Sequence, residues 1–112
     1  MKHEEDDLQI SCFQFFAMFP YLLCYHVKNS GSKSIQSAVR DKKLGVKSGI
    51  ADIVVEWEGG HGYIELKTKT GELSPSQIDF RDTCLKWKKN WAICRSFEEV
   101  KETLVRWGAI SL

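Results

Sequence analysis

The 112-residue chain has almost no net charge, at +1. A value this close to zero provides no overall field that would draw the whole surface toward a highly charged partner. Such a partner must therefore be bound by local groups of side chains. Charged residues make up 28% of the chain and apolar residues 43%, which is ordinary for a soluble globular protein. The length fits one domain, so we expect residues 1–112 to form a single domain with a modest core.

The sequence also lacks the cysteine spacings of a zinc-binding domain. None of its four cysteines forms a C-x-x-C pair or lies beside a histidine at metal-finger spacing. A structural zinc site is therefore not expected. We expect four reduced, buried thiols of the kind found in cytosolic proteins, at Cys12, Cys24, Cys84 and Cys94.

No segment has the features of a signal peptide or a membrane span. The apolar stretch 10–27 follows the acidic residues 4–7, where a signal peptide would carry positive charge. Gln14, Pro20 and His26 interrupt this stretch, which makes it a poor transmembrane segment. We therefore expect a cytoplasmic protein that does not contact membranes.

Periodicity and turn signals divide the chain into alternating helices and strands, without repeats or low-complexity linkers. Helices are predicted over 6–18, 34–44, 74–88 and after Ser96, and strands over 21–27, 51–57, 63–68 and 91–94. Ser74-Pro75 is a strong helix start, and Ser96 with Glu99 matches a capping box. Residues 29–32 are predicted to form a turn with an N-cap, and Gly45 to end the second helix. This order predicts a mixed α/β domain with a central sheet flanked by helices.

Three charged residues of the second and third strands are predicted to share one face. Side chains alternate along a strand, so Glu65 and Lys67 point the same way, and Asp52 joins them if the hairpin has an even-length turn. A two-residue turn at Gly59-Gly60 would place Asp52 opposite Lys67, and a four-residue turn over 59–62 would place it opposite Lys69. The Gly-Gly pair favours the two-residue form.

Two neighbouring carboxylates and a lysine point to a metal site. The carboxylates repel each other and shift each other's pKa, and a divalent cation removes that cost. Oxygen ligands suit Mg²⁺ or Mn²⁺. The lysine can orient or help deprotonate a water molecule, or stabilise charge on a phosphate oxygen. These are the parts for metal-assisted phosphodiester hydrolysis, although a Glu-x-Lys pair on a strand is often only a solvent-facing ion pair.

The residues around this group resemble the virus-type replication-repair nuclease domain (VRR-NUC) of the PD-(D/E)xK nuclease superfamily. The matching segments are Glu5 with Gln9, "HVKN" at 26–29, "GVKSGIAD" at 45–52, "ELK" at 65–67 and "GELSPSQ" at 71–77. They cover nearly the whole chain, so the resemblance is to a stand-alone domain. Ala51 departs from the family pattern, in which a proline is common, but that position is not a ligand.

The resemblance implies a restriction-endonuclease-like core and a role for each matched residue. Asp52 and Glu65 would bind Mg²⁺ or Mn²⁺ together with the backbone carbonyl of Leu66. Lys67 would act on the attacking water, and Gln77 would reach the site from the start of a helix. Glu5 would approach from the first helix, with a water between it and the metal. Glu4 is its neighbour, and which of the two faces the site is left open.

Other polar and aromatic residues have simpler interpretations. His26 is expected to be packed or hydrogen-bonded, and His61 to be solvated in a turn. Tryptophans are more often core residues than base-stacking platforms, and this is expected of Trp57, Trp87, Trp91 and Trp107. A DNA-facing role for Trp87 within "KWKKNW" is the weaker alternative. Candidate phosphate contacts flank the proposed site in sequence, although a charged helix face is usually only solvated: Arg40, Lys42, Lys43, Lys47 and Lys69.

Two functions of different classes follow. The first is a metal-dependent, structure-selective DNA endonuclease involved in DNA repair, in a bacterial or phage-infected cell. The second is a nucleic-acid-binding module that keeps the fold without the chemistry. Stand-alone members of the resembled family also imply a homodimer that cuts four-way (Holliday) junctions. A short, nearly neutral chain with high apolar content fits a two-fold dimer with two symmetric sites.

Overall fold

A computed structural model of the protein describes residues 2–27 and 34–112. Along the chain the elements are α1 (Lys2–Phe16), β1 (Leu23–His26), α2 (Ile35–Lys43), β2 (Ile53–Trp57), β3 (Gly60–Leu66), α3 (Pro75–Lys86), β4 (Asn90–Cys94) and α4 (Phe97–Trp107). The predicted order of helices and strands is confirmed. The turn predicted at 29–32 lies outside the described residues.

Several element boundaries differ from the predicted ones, and the first helix differs most. Helix α1 begins four residues earlier than periodicity indicated. Glu4 and Glu5 lie in its first turn, where negative side chains interact favourably with the helix dipole, although they interrupt the apolar pattern. Helix α2 starts after the N-cap Ser34, whose hydroxyl accepts a hydrogen bond from Ser37 N at 3.0 Å.

The four strands form one mixed sheet in the order β1-β2-β3-β4. Strands β1, β2 and β3 are antiparallel neighbours, and β4 runs parallel to β3. Parallel neighbours need a crossover connection, and α3 provides it. The carboxyl ends of β3 and β4 therefore meet at one edge of the sheet, next to the start of α3. The predicted mixed α/β fold is confirmed.

One face of the sheet forms the main hydrophobic core against α1 and α4. Ile53, Val55, Ile64 and Leu66 point to this face and are almost completely buried. The alternate residues of β2 and β3 point to the opposite face, which α3 covers in part. There Phe80 of α3 packs edge-to-face on Tyr63, with ring centroids 5.0 Å apart. Polar side chains of the hairpin lie on this second face.

The β2–β3 hairpin has a two-residue loop, but not at the predicted residues. Trp57 pairs with Gly60, so the loop is Glu58-Gly59 and not Gly59-Gly60. The loop lies one residue earlier than predicted, so Gly60 joins β3, Glu58 leaves β2 and the pairing shifts by two residues. Because Ile53 pairs with Ile64, Asp52 lies across from Glu65 and not from Lys67 or Lys69 as predicted. The prediction that the charged residues share one face holds, since the loop is still even in length.

The expected core role of the tryptophans holds for only part of the set. Trp57 and Trp107 pack against the core and stack on each other, with ring centroids 6.3 Å apart. The expectation was wrong for Trp87, which is 64% exposed because it caps the end of α3. The expectation for His61 was also wrong. It lies within β3 and packs edge-to-face on Tyr63.

The cysteines are free thiols, as predicted. Three are buried, whereas Cys24 on the edge strand β1 is only half-buried. Burial raises the pKa of the Cys12 thiol to about 12, so this thiol stays protonated at neutral pH. Among the described residues, no helix combines the length and apolar character needed to cross a membrane.

Candidate active site

Asp52 and Glu65 are held beside each other by the hairpin. Asp52 immediately precedes β2, and its carboxylate accepts a hydrogen bond from Leu66 N at 2.8 Å. Its backbone carbonyl accepts hydrogen bonds from Val27 N at 3.0 Å and from His26 Nδ1 at 2.7 Å. His26 is therefore hydrogen-bonded, as predicted, and it helps fix the backbone that carries Asp52.

Glu65 is the most buried acidic side chain of this group. It is only 3% exposed, although it is a carboxylate on the sheet face opposite the main core. Burial is the largest cause that raises the pKa of Glu65, to about 8. The charge of Asp52 and a hydrogen bond with it add to this shift, and Lys67 opposes it. Two carboxylates in this position cannot both ionise without a cost that a nearby cation would remove.

Lys67 provides one positive charge at this place. Its Nζ lies 3.8 Å from Glu65 Oε2, and its side chain is 16% exposed. The backbone N–H of Lys67 donates to Cys94 O at 3.1 Å, which continues the β3–β4 pairing past the strand end. The ammonium is thus held beside the buried carboxylate and remains partly accessible to solvent.

Gln77 joins the start of α3 to Glu65. Its Nε2 donates to Glu65 Oε2 at 3.0 Å, and its Oε1 accepts from Ser74 N at 2.8 Å. Ser74 Oγ in turn accepts from Gln77 N at 3.3 Å, so the two residues form a complete capping box. The same side chain therefore caps the start of α3 and orients the acid.

The capping box predicted at the last helix is only half formed. Ser96 Oγ accepts from Glu99 N at 3.2 Å, as expected. However, Glu99 Oε1 accepts from Arg95 N at 2.7 Å instead of from the N-cap residue. The Glu99 carboxylate therefore accepts from the residue that precedes the N-cap Ser96.

A glycine brings the loop of Asp52 against α3. Gly49 has φ +84°, a conformation that favours glycine, and an added Cβ would overlap the Ser76 backbone and lie 2.9 Å from Gln77 N. The loop before β2 therefore touches the first turn of α3 directly. This contact explains why the Gly-x-x-x-Gly-x-x-Asp spacing of residues 45–52 matters to the site.

Glu5 reaches the same place from α1. It is half-buried, and its negative charge contributes to the raised pKa of Glu65. A cavity of about 360 Å³ opens beside Lys67 and is lined by Glu4, Glu5, Asp7, Leu8, Lys67, Thr68, Lys69 and Arg95. Glu5 is the more enclosed of the two neighbouring glutamates, and Glu4 is exposed at the cavity wall.

Arg95 is a feature of the site that was missed in the sequence. Its Nη1 donates to Thr68 O at 2.8 Å and to Gly71 O at 2.6 Å. It thereby fastens the loop between Lys67 and α3. The signal that could have found it is its position: Arg95 directly follows β4, just as Lys67 directly follows the parallel strand β3.

The predicted phosphate contacts fall into two places. Lys69 is exposed and lines the cavity beside Lys67. The remaining basic residues are exposed on α2 and on the loop that follows it, at Arg40, Lys42, Lys43 and Lys47. They form a cationic segment on an element with no buried residue.

A metal ion would find few protein ligands here. Among the described residues, no three His, Cys, Asp or Glu side chains are grouped closely enough to bind a metal. The available donors are the carboxylates of Asp52 and Glu65 and the backbone carbonyls at the end of β3. Mg²⁺ commonly binds through one or two carboxylates and keeps several waters, so this small donor set fits it.

Comparisons with known proteins connect this geometry to a fold. No family model matches the sequence, and no curated protein matches it significantly. A solved structure called "VRR_NUC domain" has a TM-score of 0.64 and 19% identity, with 91% of this chain and 94% of that chain covered. A second, called "VRR_NUC domain protein", has a TM-score of 0.72 and 18% identity, covering 91% and 85%. The chain therefore has the VRR_NUC fold that its motifs predicted.

Proposed function

We propose that this protein is a Mg²⁺- or Mn²⁺-dependent endonuclease that hydrolyses phosphodiester bonds in branched DNA, such as four-way junctions. The observation that carries the proposal is the buried Glu65, which lies across from Asp52 and contacts both Gln77 and Lys67. A structural role would not require a carboxylate at 3% exposure with a pKa raised to about 8. Perturbed acids of this kind are typical of functional sites.

The two acids fit a divalent cation. Their mutual repulsion is only partly offset by Lys67, whose ammonium is 3.8 Å from Glu65. A bound Mg²⁺ or Mn²⁺ would neutralise this charge, lower the pKa of a coordinated water and polarise a phosphate oxygen. We propose Asp52, Glu65 and the Leu66 carbonyl as ligands, and Glu5 as a more distant ligand through water.

The protein's own side chains would prepare the reaction. Gln77 fixes one oxygen of Glu65 through its amide, which leaves the acid in a single orientation. Lys67, partly accessible beside that acid, would hold the attacking water by hydrogen bonding or stabilise charge on the phosphate. Positioning of this kind accounts for a large share of the rate enhancement in phosphoryl transfer.

DNA is the proposed substrate because the fold is that of a nuclease domain and exposed cations flank the site. Lys69 is at the cavity, and α2 with its following loop adds Arg40, Lys42, Lys43 and Lys47. We propose that these cations contact phosphates and position the strand, as basic side chains commonly do.

We further propose that one domain spans the chain and acts as a homodimer. Helix α2 exposes Ile35 by 84% and Val39 by 49%, and Leu44 and Val46 after it are also exposed. These residues offer apolar surface for a second copy. A two-fold dimer would present two sites related by symmetry, which suits paired cuts in a four-way junction. A cytoplasmic role in DNA repair is consistent with this activity.

The decisive experiment is a cleavage assay on four-way junctions and on linear duplex DNA. We expect cleavage of the junction with Mg²⁺ or Mn²⁺, none with a chelator, and binding without appreciable turnover in Ca²⁺, whose larger and looser coordination shell positions water poorly. Activity in excess chelator would exclude the proposed metal site. Binding without cleavage in every metal would support the non-catalytic module instead.

A further inference from the structure

The end of α3 contains an unusual residue. Lys88 N donates to Leu85 O at 3.1 Å and Lys89 N donates to Cys84 O at 2.8 Å, which is the Schellman pattern at a helix end. Lys88 occupies the left-handed position of this motif, with φ +59°. In the described part of the chain it is the one residue other than glycine with a positive φ.

Glycine is the usual residue at that position because it has no Cβ to clash with the backbone. A lysine there costs folding free energy, and the fold does not need it, since glycine would allow the same hydrogen bonds. Two other tight positions of this chain, Gly45 and Gly108, do use glycine with positive φ. A residue that is unfavourable for folding is a reason to look for a function.

Lys88 belongs to a segment that we name the KWKK turn, residues Lys86 to Lys89. All four residues are exposed, and Trp87 is exposed by 64%. None of the three lysines forms an ion pair with any described residue. The segment therefore presents to solvent an exposed indole whose neighbours in sequence are three exposed lysines.

An exposed indole next to cations that pair with no described acid suits a single-stranded or unstacked nucleic acid. Aromatic rings stack on bases whose faces are accessible, and lysines bind the adjoining phosphates. We propose that the KWKK turn is a second DNA-binding surface, in which Trp87 stacks on an unpaired base and the lysines contact the backbone phosphates next to that base. This inference rests on the proposed function, because it assumes that DNA is the substrate.

The position of the turn defines what it contacts. Gln77 at the start of α3 touches Glu65, and Lys86 is at the end of the same helix. Nine residues of α-helix span about 14 Å, which is about four nucleotides at 3.4 Å each. A strand that runs along α3 from the site would therefore reach the turn roughly four nucleotides from the cut. Unpaired bases at that distance occur at forks, and at the branch point of a junction where pairing opens, but not within continuous duplex.

The test measures binding to a forked DNA and to a linear duplex of equal length, in Ca²⁺ so that the DNA stays uncut. Trp87→Ala should weaken binding to the fork about tenfold, within the range known for loss of one stacked base, and change duplex binding much less. Lys88→Gly should raise the thermal midpoint of unfolding, weaken binding to the fork and reduce the slope of log K against log salt by about one. Arg106→Ala is the control, since Arg106 is also an exposed cation in the last turn of a helix and should leave binding unchanged.

The pairing of higher stability with weaker binding in Lys88→Gly distinguishes this proposal from damage to the fold. Fork binding by Trp87→Ala and Lys88→Gly at the wild-type level, in a protein that still cuts junctions, would overturn the inference and leave the proposed function standing. Equal losses on fork and duplex would overturn the stacking role of Trp87. A wild-type protein that binds neither DNA refutes the proposed function itself, and binding to anionic lipid vesicles instead of DNA would assign the turn to a membrane surface.

Discussion

Two regions of this protein use charged residues in opposite ways. In the first, which we name the site corner, the ends of β3 and β4 meet the start of α3, and Glu65 is 3% exposed there. In the second, helix α2, no residue is buried and the apolar Ile35 is 84% exposed. The site corner buries an acid that would be more stable in water, whereas α2 exposes apolar groups that would be more stable in a core.

The two regions differ in the contacts that hold their unfavourable side chains in place. The buried acid is retained by contacts from separate elements: Gln77 from α3, Lys67 after β3 and Asp52 before β2. Helix α2 makes little contact with other described elements and is defined mainly by its own caps. Both regions are unfavourable for the isolated chain, which is consistent with the proposals that the site corner binds an ion and that α2 binds a second copy.

Removal of the charged groups of the site corner should have the largest effect. Glu65→Gln, Asp52→Ala and Lys67→Ala should each lower the cleavage rate by at least about a thousandfold, because each removes a group that we propose acts on the metal or the water. Circular dichroism should report a folded protein for each variant. Glu98→Gln, an exposed glutamate on α4, is the matched control and should keep the wild-type rate. Near-native cleavage by a well-folded variant would remove that residue from the mechanism.

The raised pKa of Glu65 predicts how stability depends on pH without metal. Because its folded pKa is about 8 and the ordinary value is 4.5, the folded state binds this proton more tightly than the unfolded state. Its contribution is therefore fully present below pH 4.5 and is lost as pH rises through 8. The loss is on the order of 5 kcal/mol, from a shift of 4.5 to about 8 at about 1.4 kcal/mol per pKa unit.

Chemical denaturation in chelator at several pH values measures this slope. Glu65→Gln cannot ionise, so its stability should not show this decline between pH 5 and 8. Mg²⁺ should restore the stability of the wild type at pH 8, since the ion binds the ionised acid. Parallel pH profiles for wild type and variant would show that the acid is not strained in the metal-free protein.

Arg95 should have an intermediate effect, since it positions the loop of Lys67 and is not assigned a role on the reacting atoms. Gly71, whose carbonyl accepts from Arg95, lies close to the Lys67 side chain: an added Cβ on Gly71 would be 3.4 Å from Lys67 Cδ. Arg95→Lys keeps the charge but loses the planar guanidinium that donates to the carbonyls of Thr68, Lys69 and Gly71. We expect kcat to fall about 10- to 100-fold with KM for DNA nearly unchanged.

Added guanidinium should partly restore the activity of Arg95→Ala, and Arg106→Ala is a control for the loss of an exposed arginine. A large increase in KM with unchanged kcat would contradict the positioning role and indicate a direct phosphate contact instead.

Much of the site corner could be predicted from sequence because its signals are local. Strand alternation placed Glu65 and Lys67 on one face, and Ser74-Pro75 fixed the start of the helix that carries Gln77. The hairpin register could not be predicted, since Gly59-Gly60 and Glu58-Gly59 are both two-residue loops and only packing of the completed sheet distinguishes them. Arg95 was missed because its partners are backbone carbonyls 24 to 27 residues away, which leave no pattern in side-chain identity. The exposure of Trp87 was missed because tryptophan alone gives no indication of which residues cap a helix.

Substitutions on α2 should have the smallest effect on folding, and this tests the other side of the comparison. Ile35→Glu and Val39→Glu replace side chains that are already 84% and 49% exposed, so each should change the free energy of unfolding of a subunit by no more than about 0.5 kcal/mol.

The same two changes place charge within the proposed subunit contact, where an unpaired charge is costly to bury. In the double variant with both changes, the molecular mass measured by light scattering at micromolar concentration should therefore fall from about twice the 12.9 kDa chain mass to that of one chain. Leu85→Glu, at a residue that is 55% exposed on α3, is the matched control and should leave the mass unchanged. A double variant that remains dimeric would place the subunit contact elsewhere, and a large loss of stability would show that α2 packs within its own chain more than its exposure indicates.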